Sequence, residues 1–203
     1  EKAYGKLGKL GIKWVRIQSG WQRTETEKGI YNFEWLDKVV DNLINLGLTP
    51  WICLCYGNAL YGGMAKEIFG AVGCPPIFTD EQKQAWKNYV SAVVKHYEGR
   101  VSYFEIWNEP DGYGFCWMGT PEEFHELFAI TAKHLKARFP QLKIGGPAVC
   151  GYRQPWLDDF FTRMREENVP IDFYSWHRYT TSVQSVVDNI RLHRELLDKF
   201  GYT

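Results

Sequence analysis

The run VSYFEIWNEPDGYGFCW, Val101 to Trp117, carries Phe104, Ile106 and Trp107 into Asn108, Glu109 and Pro110. A strand apolar enough to be buried thus delivers an amide and a carboxylate at its last positions. It then meets a proline, which has no N–H to continue a ladder. A lone carboxylate at a strand end is ordinarily a solvated rim acid. One that follows a buried aromatic run, with an amide before it, is a candidate for active-site work. Beside Trp107 and Trp117, Glu109 is expected to stand against an apolar wall, the setting in which a carboxyl serves as a proton donor.

Outward from this run the same alternation repeats. Strand-like runs occupy 12–18, 48–56, 101–108, 142–149 and 171–179, and segments of helical period fill 33–46, 80–97, 120–139, 155–167 and 182–200. The helix after the quoted strand is well signalled. Thr120 is a capping residue, Pro121 suits the first turn, Glu123 completes a capping box, and Phe124, Leu127, Phe128, Thr131 and Leu135 form the inner stripe. Strand–helix alternation implies parallel strands with right-handed crossovers. A doubly wound open sheet and an eight-stranded barrel both satisfy it. No G-x-G-x-x-G follows the first strand, which weakens the dinucleotide-binding open sheet. Polar residues gather instead at several strand ends: Arg16 and Gln18, Asn58, Asn108 and Glu109, His177 and Tyr179. Chemistry spread over many strand ends is the habit of the barrel, so the expected fold class is α/β, a (β/α)₈ TIM barrel.

Composition narrows the partners. Twenty-four basic residues balance twenty-four acidic ones in 203, which leaves no electrostatic footprint for nucleic acid and no basic face for a membrane. An aromatic fraction of 16% with nine tryptophans suits a large core, or equally a ligand with flat apolar faces and many hydroxyls, such as a sugar. The five cysteines are odd in number and lack metal-ligand spacing, so they read as small buried thiols. No metal and no cofactor is expected.

Glycoside cleavage needs a proton delivered to a poor leaving oxygen while positive charge builds on the sugar ring, and two carboxyl groups meet that need. Here the chain resembles a known family. FEIWNEPD is similar to the fourth-strand motif of the clan of retaining glycosidases built on (β/α)₈ barrels. GGPAVCG (145–151), WLDDFFTRMREENVPIDFYSWHRYT (156–180) and WQRTETEKGIYNFEWLDKVVDNLINLG (21–47) resemble segments of glycoside hydrolase family 39, the β-xylosidase and α-L-iduronidase family. The resemblance implies a retaining exo-glycosidase acting on a terminal sugar, β-xyloside- or β-glucoside-like, of an oligosaccharide or glycoside. Glu109 is then the general acid/base and Asn108 the hydroxyl-orienting amide. Arg16 matches the clan arginine near the nucleophile, and His177 and Tyr179 match the sixth-strand pair lining the terminal-sugar subsite. Gln18 and Asn58 complete the expected substrate contacts.

The chain departs from the family at two strand ends: RIQSG places Gln18 where β-xylosidases tend to carry a histidine, and Cys53 stands where the family has an acidic residue. By the same comparison the chain covers roughly strands 2–6 and helices 1–6 of the barrel, so residues 1–203 are expected to be one catalytic domain truncated at both ends, completed by missing strands of the parent chain. The nucleophilic glutamate is expected on a strand beyond Thr203, and the 203 residues alone are expected to be inactive. Glu105 is expected to hold Arg16 or another internal donor, and Asp111 and Asp172 to be rim or capping groups. A non-catalytic carbohydrate-binding barrel is the competing reading. An unrelated barrel isomerase or aldolase would need a catalytic lysine or a phosphate-binding glycine loop, and the strand ends show neither.

Overall fold

The computed structural model describes residues 3–67, 69–112 and 114–203. Five strands form one sheet in chain order, each neighbouring pair parallel: β1 (Trp14–Gln18), β2 (Thr49–Leu54), β3 (Tyr103–Ile106), β4 (Lys143–Val149) and β5 (Phe173–Trp176). Short helices α1 (Tyr4–Leu7) and α2 (Trp21–Thr24) flank β1, and the crossovers are α3 (Glu34–Asn45), α4 (Asp80–His96), α5 (Pro121–Arg138) and α6 (Gln154–Glu166), with α7 (Val183–Lys199) after β5. Two 3₁₀ turns, Gly63–Lys66 and Phe69–Ala71, lie in the β2–α4 connection. An unreversed strand order removes the doubly wound alternative, whose order switches direction partway.

One face of the sheet is apolar and covered. Ile52, Leu54, Phe104, Ile106 and Ile144 are fully buried against helix residues such as Val40, Val90, Phe128 and Leu157. The other face is concave. The ring centroids of Trp14 and Tyr103 lie 5.0 Å apart, and those of Tyr103 and Phe173 lie 5.7 Å apart. In a flat sheet, strands two apart stand roughly 10 Å from one another, so side chains of β1, β3 and β5 meet because the sheet curls towards them. Layers drawn from alternate strands are how a (β/α)₈ interior fills, and the described strands form an incomplete barrel of that kind. Gly145 permits it: a Cβ there would lie 2.2 Å from the Phe173 carbonyl oxygen and 2.7 Å from its ring.

Local signals acted where expected. Thr120 and Glu123 form the reciprocal capping box at the head of α5, and Thr79 with Gln82 forms a second one, unanticipated, at the head of α4. The first and fourth strands end where expected, at Gln18 and Val149, while the second, third and fifth end earlier than their runs. The third was expected to reach Asn108 and stops at Ile106, because Trp107 adopts a left-handed backbone with φ 67°.

Two core histidines tie stability to pH. His125, 3% exposed, lies among Phe124, Trp156 and Phe160, and its Nε2 has no partner among the described residues. Burial, and then the Arg163 guanidinium, lower its pKa from 6.5 to about 4, against the opposing effect of Glu122. His193, fully buried with Nδ1 2.8 Å from Tyr174 Oη, is lowered by burial to about 4 as well. Between pH 6.5 and 4 the unfolded chain therefore holds protons that the folded chain refuses. Stability is flat above 6.5 and falls as pH drops through that window. Each histidine contributes on the order of 3 kcal/mol to the fall. Urea midpoints measured at pH 7 and pH 4.5 are expected to converge in a His125→Gln/His193→Gln variant; an unchanged gap places the acid sensitivity elsewhere.

Candidate active site

Successive residues of a strand face opposite ways, yet Asn108 and Glu109 both reach the concave end of the sheet. The left-handed backbone at Trp107 makes this possible. It breaks the two-residue period, turns the indole out of the concave face into the helix-covered core, and brings both following side chains inward. The Trp107 ring meets Tyr56, Trp86 and Trp117 edge-on, with centroids 5.5, 5.7 and 5.2 Å away, and its Nε1 donates to the Cys116 carbonyl at 2.7 Å. A left-handed tryptophan costs about 1–3 kcal/mol, which burial of so large a ring offsets. Glu109 is also left-handed, with φ 49°, and its N–H donates to the Ala148 carbonyl at 3.0 Å. That carbonyl is aimed by a bulge in β4, where the register shifts between Pro147 and Val149.

The indoles of Trp107 and Trp117 are both buried in the core. Glu109, its side chain one quarter exposed, meets His177: Oε1 lies 2.7 Å from His177 Nδ1. His177 is held from β4 as well, its N–H donating to the Val149 carbonyl at 2.8 Å.

Arg16 joins the two ends of the same motif strand. Its Nε donates to Glu105 Oε2 at 2.5 Å and its Nη2 to Asn108 Oδ1 at 2.8 Å. Burial opposes the Arg16 charge, but the ion pair and hydrogen bond with Glu105 raise the guanidinium pKa. Glu105 is fully buried, and its second oxygen accepts from Ser175 Oγ at 2.7 Å. Ser175 Oγ in turn accepts the Ala148 N–H at 3.1 Å. Ser175 thus links β5 both to the Arg16–Asn108 arm and to the strand bulge behind Glu109. Strand alternation puts Ser175 on the same face as His177, which is the signal in the sequence that could have found it.

The other candidates divide. Gln18 stands exposed at the end of β1 and donates to Tyr56 Oη at 3.1 Å. Asn58 lies at the same end of the sheet, but its amide is committed to the loop: Nδ2 donates to the Glu25 carbonyl at 2.8 Å and Oδ1 accepts the Leu60 N–H at 2.9 Å. Tyr179, two residues after His177, is 90% exposed. Cys53 donates to the Trp107 carbonyl at 3.0 Å. The remaining carboxylates weighed beside Glu109 are also committed. Asp111, fully buried, accepts from the Cys150 N–H at 2.8 Å, and Asp172 bridges the Ile144 N–H and Lys136 at 2.9 and 3.0 Å. The arrangement offers one partly exposed carboxyl, one oriented amide and one imidazole at a concave end.

Comparison with known proteins bears on what such a site does. The family model described as Glycosyl hydrolases family 39 matches residues 4–197. A beta-xylosidase of Geobacillus stearothermophilus is 32% identical over 163 residues, 76% of this chain and 32% of that protein. A beta-xylosidase of Caldicellulosiruptor saccharolyticus is 31% identical over 188 residues, 86% and 38% respectively. The chain therefore spans about a third of the length of these curated relatives. The structure of a GH39 beta-xylosidase from Caulobacter crescentus superposes with a TM-score of 0.79 at 25% identity, covering 100% of this chain and 48% of that one.

Proposed function

This chain belongs to the glycosyl hydrolases of family 39, and from that membership we propose that it forms the acid/base half of a retaining exo-glycosidase site. The observation that carries the reading is the convergence of Glu109 and Asn108 from consecutive positions, one held by His177 and the other by Arg16. In this reading Glu109 protonates the leaving oxygen, then takes a proton from the water that releases the sugar. Asn108, its Oδ1 engaged by Arg16, turns its Nδ2 side to a sugar hydroxyl next to the reacting carbon. His177 sets the rotamer of Glu109, and Gln18 and Tyr179 contact the terminal sugar.

A retaining mechanism needs a second carboxylate about 5–5.5 Å from the first. Glu105, Asp111 and Asp172 are each engaged by other groups, so the nucleophile is proposed to come from outside residues 1–203. The substrate class is a terminal β-linked xylose- or glucose-like sugar. Hydrolysis of an aryl β-xyloside by the protein carrying this chain, followed by NMR, tests it: the β-anomer is expected first. First appearance of the α-anomer overturns retention, and saturable sugar binding without hydrolysis favours a binding module.

A further inference from the structure

Cys116 touches both residues on which the proposed chemistry depends. The side chain is 3% exposed, and its Sγ lies 3.7 Å from Glu109 Oε2, as donor, and 3.7 Å from Asn108 Nδ2, as acceptor. The backbone beneath it is pinned on two sides. Its carbonyl accepts Trp107 Nε1, and the Met118 N–H donates to the Gly73 carbonyl at 2.8 Å. Asn108 is thereby oriented at both ends of its amide, Oδ1 to Arg16 and Nδ2 to sulfur. Glu109 is likewise met on both oxygens, Oε1 by His177 and Oε2 by the thiol.

We propose that Cys116 is a positioning residue, its S–H holding the Glu109 carboxyl and its lone pair holding the Asn108 amide, so that acid and amide keep one relative geometry during glycoside cleavage. The roles of Glu109 and Asn108 rest on the glycosidase reading; the contact itself does not. Burial, and after it the Glu109 carboxylate, raise the thiol's pKa, while hydrogen bonds from Tyr56 and Asn108 act in the opposite direction. The sulfur therefore keeps its proton near neutrality and remains a donor. A neutral thiol is a weak donor and a weak acceptor, which suits holding two groups without locking the carboxyl that has to exchange its proton.

Two measurements separate the contact from the chemistry. Infrared spectroscopy reads the S–H stretch in a window free of water and amide bands. The band lost in Cys116→Ser is expected to move to higher frequency in Glu109→Ala, which removes its acceptor; an unmoved band overturns the contact. In the enzyme, Cys116→Ala is expected to lower kcat roughly three- to ten-fold with KM changed by less than about two-fold. It is also expected to move the basic limb of the pH–rate profile upward, because the carboxylate loses a donor, while Cys116→Ser restores most of the rate. Loss of rate that only follows the thermal midpoint, equally in both variants, reduces Cys116 to packing and overturns the proposal. A shifted infrared band without turnover of any glycoside upholds the contact and sinks the glycosidase reading instead.

Discussion

Glu109→Ala is expected to lower hydrolysis of glycosides with poor leaving groups by roughly 10²–10⁴-fold, the usual worth of a positioned proton donor. An alkoxide leaves slowly unless protonated as its bond breaks, whereas a dinitrophenolate needs little help. The first step on an activated aryl glycoside should therefore survive, and the glycosyl-enzyme should accumulate because no base remains to activate water. Azide needs no deprotonation and is expected to rescue the second step, yielding the β-glycosyl azide. Steady-state and burst kinetics across a leaving-group series provide the check. Equal loss on every substrate with no azide effect would make Glu109 a positioning group.

Arg16→Ala is expected to destabilise the fold by about 3–5 kcal/mol, because it strips a fully buried carboxylate of its charged partner. The Arg16→Met/Glu105→Met double variant is expected to recover most of that loss, since two apolar side chains of similar volume leave no buried charge. Turnover is not expected to return with it, because Asn108 Oδ1 then lacks the Nη2 donor that orients it. Guanidinium unfolding and kcat measured on the same three proteins decide the matter. Activity restored together with stability would remove the pair from the positioning of Asn108.

The repeated strand–helix alternation was enough to read five parallel strands in chain order, and Thr120-Pro121-Glu123 enough to start a helix, because both are local patterns with one cheap solution. The capping box of Thr79 and Gln82 was equally legible and went unread. Glu105 was expected to hold Arg16 or another internal donor, and it holds Arg16. Alternation failed at Trp107, where tertiary packing of one indole overrode the local period.

By itself, then, the sequence determined the class of fold, the strand ends at which polar side chains gather, and Glu109 as the acid to examine. All of these rest on residue type and periodicity over a few positions. Only the tertiary structure decided which side chains meet. Left-handed backbone at Trp107, Glu109 and Ala148 is stable only when buried rings and cross-strand hydrogen bonds offset its cost, and those partners lie tens of residues away. Asn58 shows the same dependence, because the Glu25 carbonyl that claims its amide comes from a loop 33 positions earlier. So do Ser175 and Cys116. One is an unremarked hydroxyl and the other an unremarked thiol in the chain, and each becomes a contact of the site only when the curl of the sheet brings β3, β4 and β5 to one end.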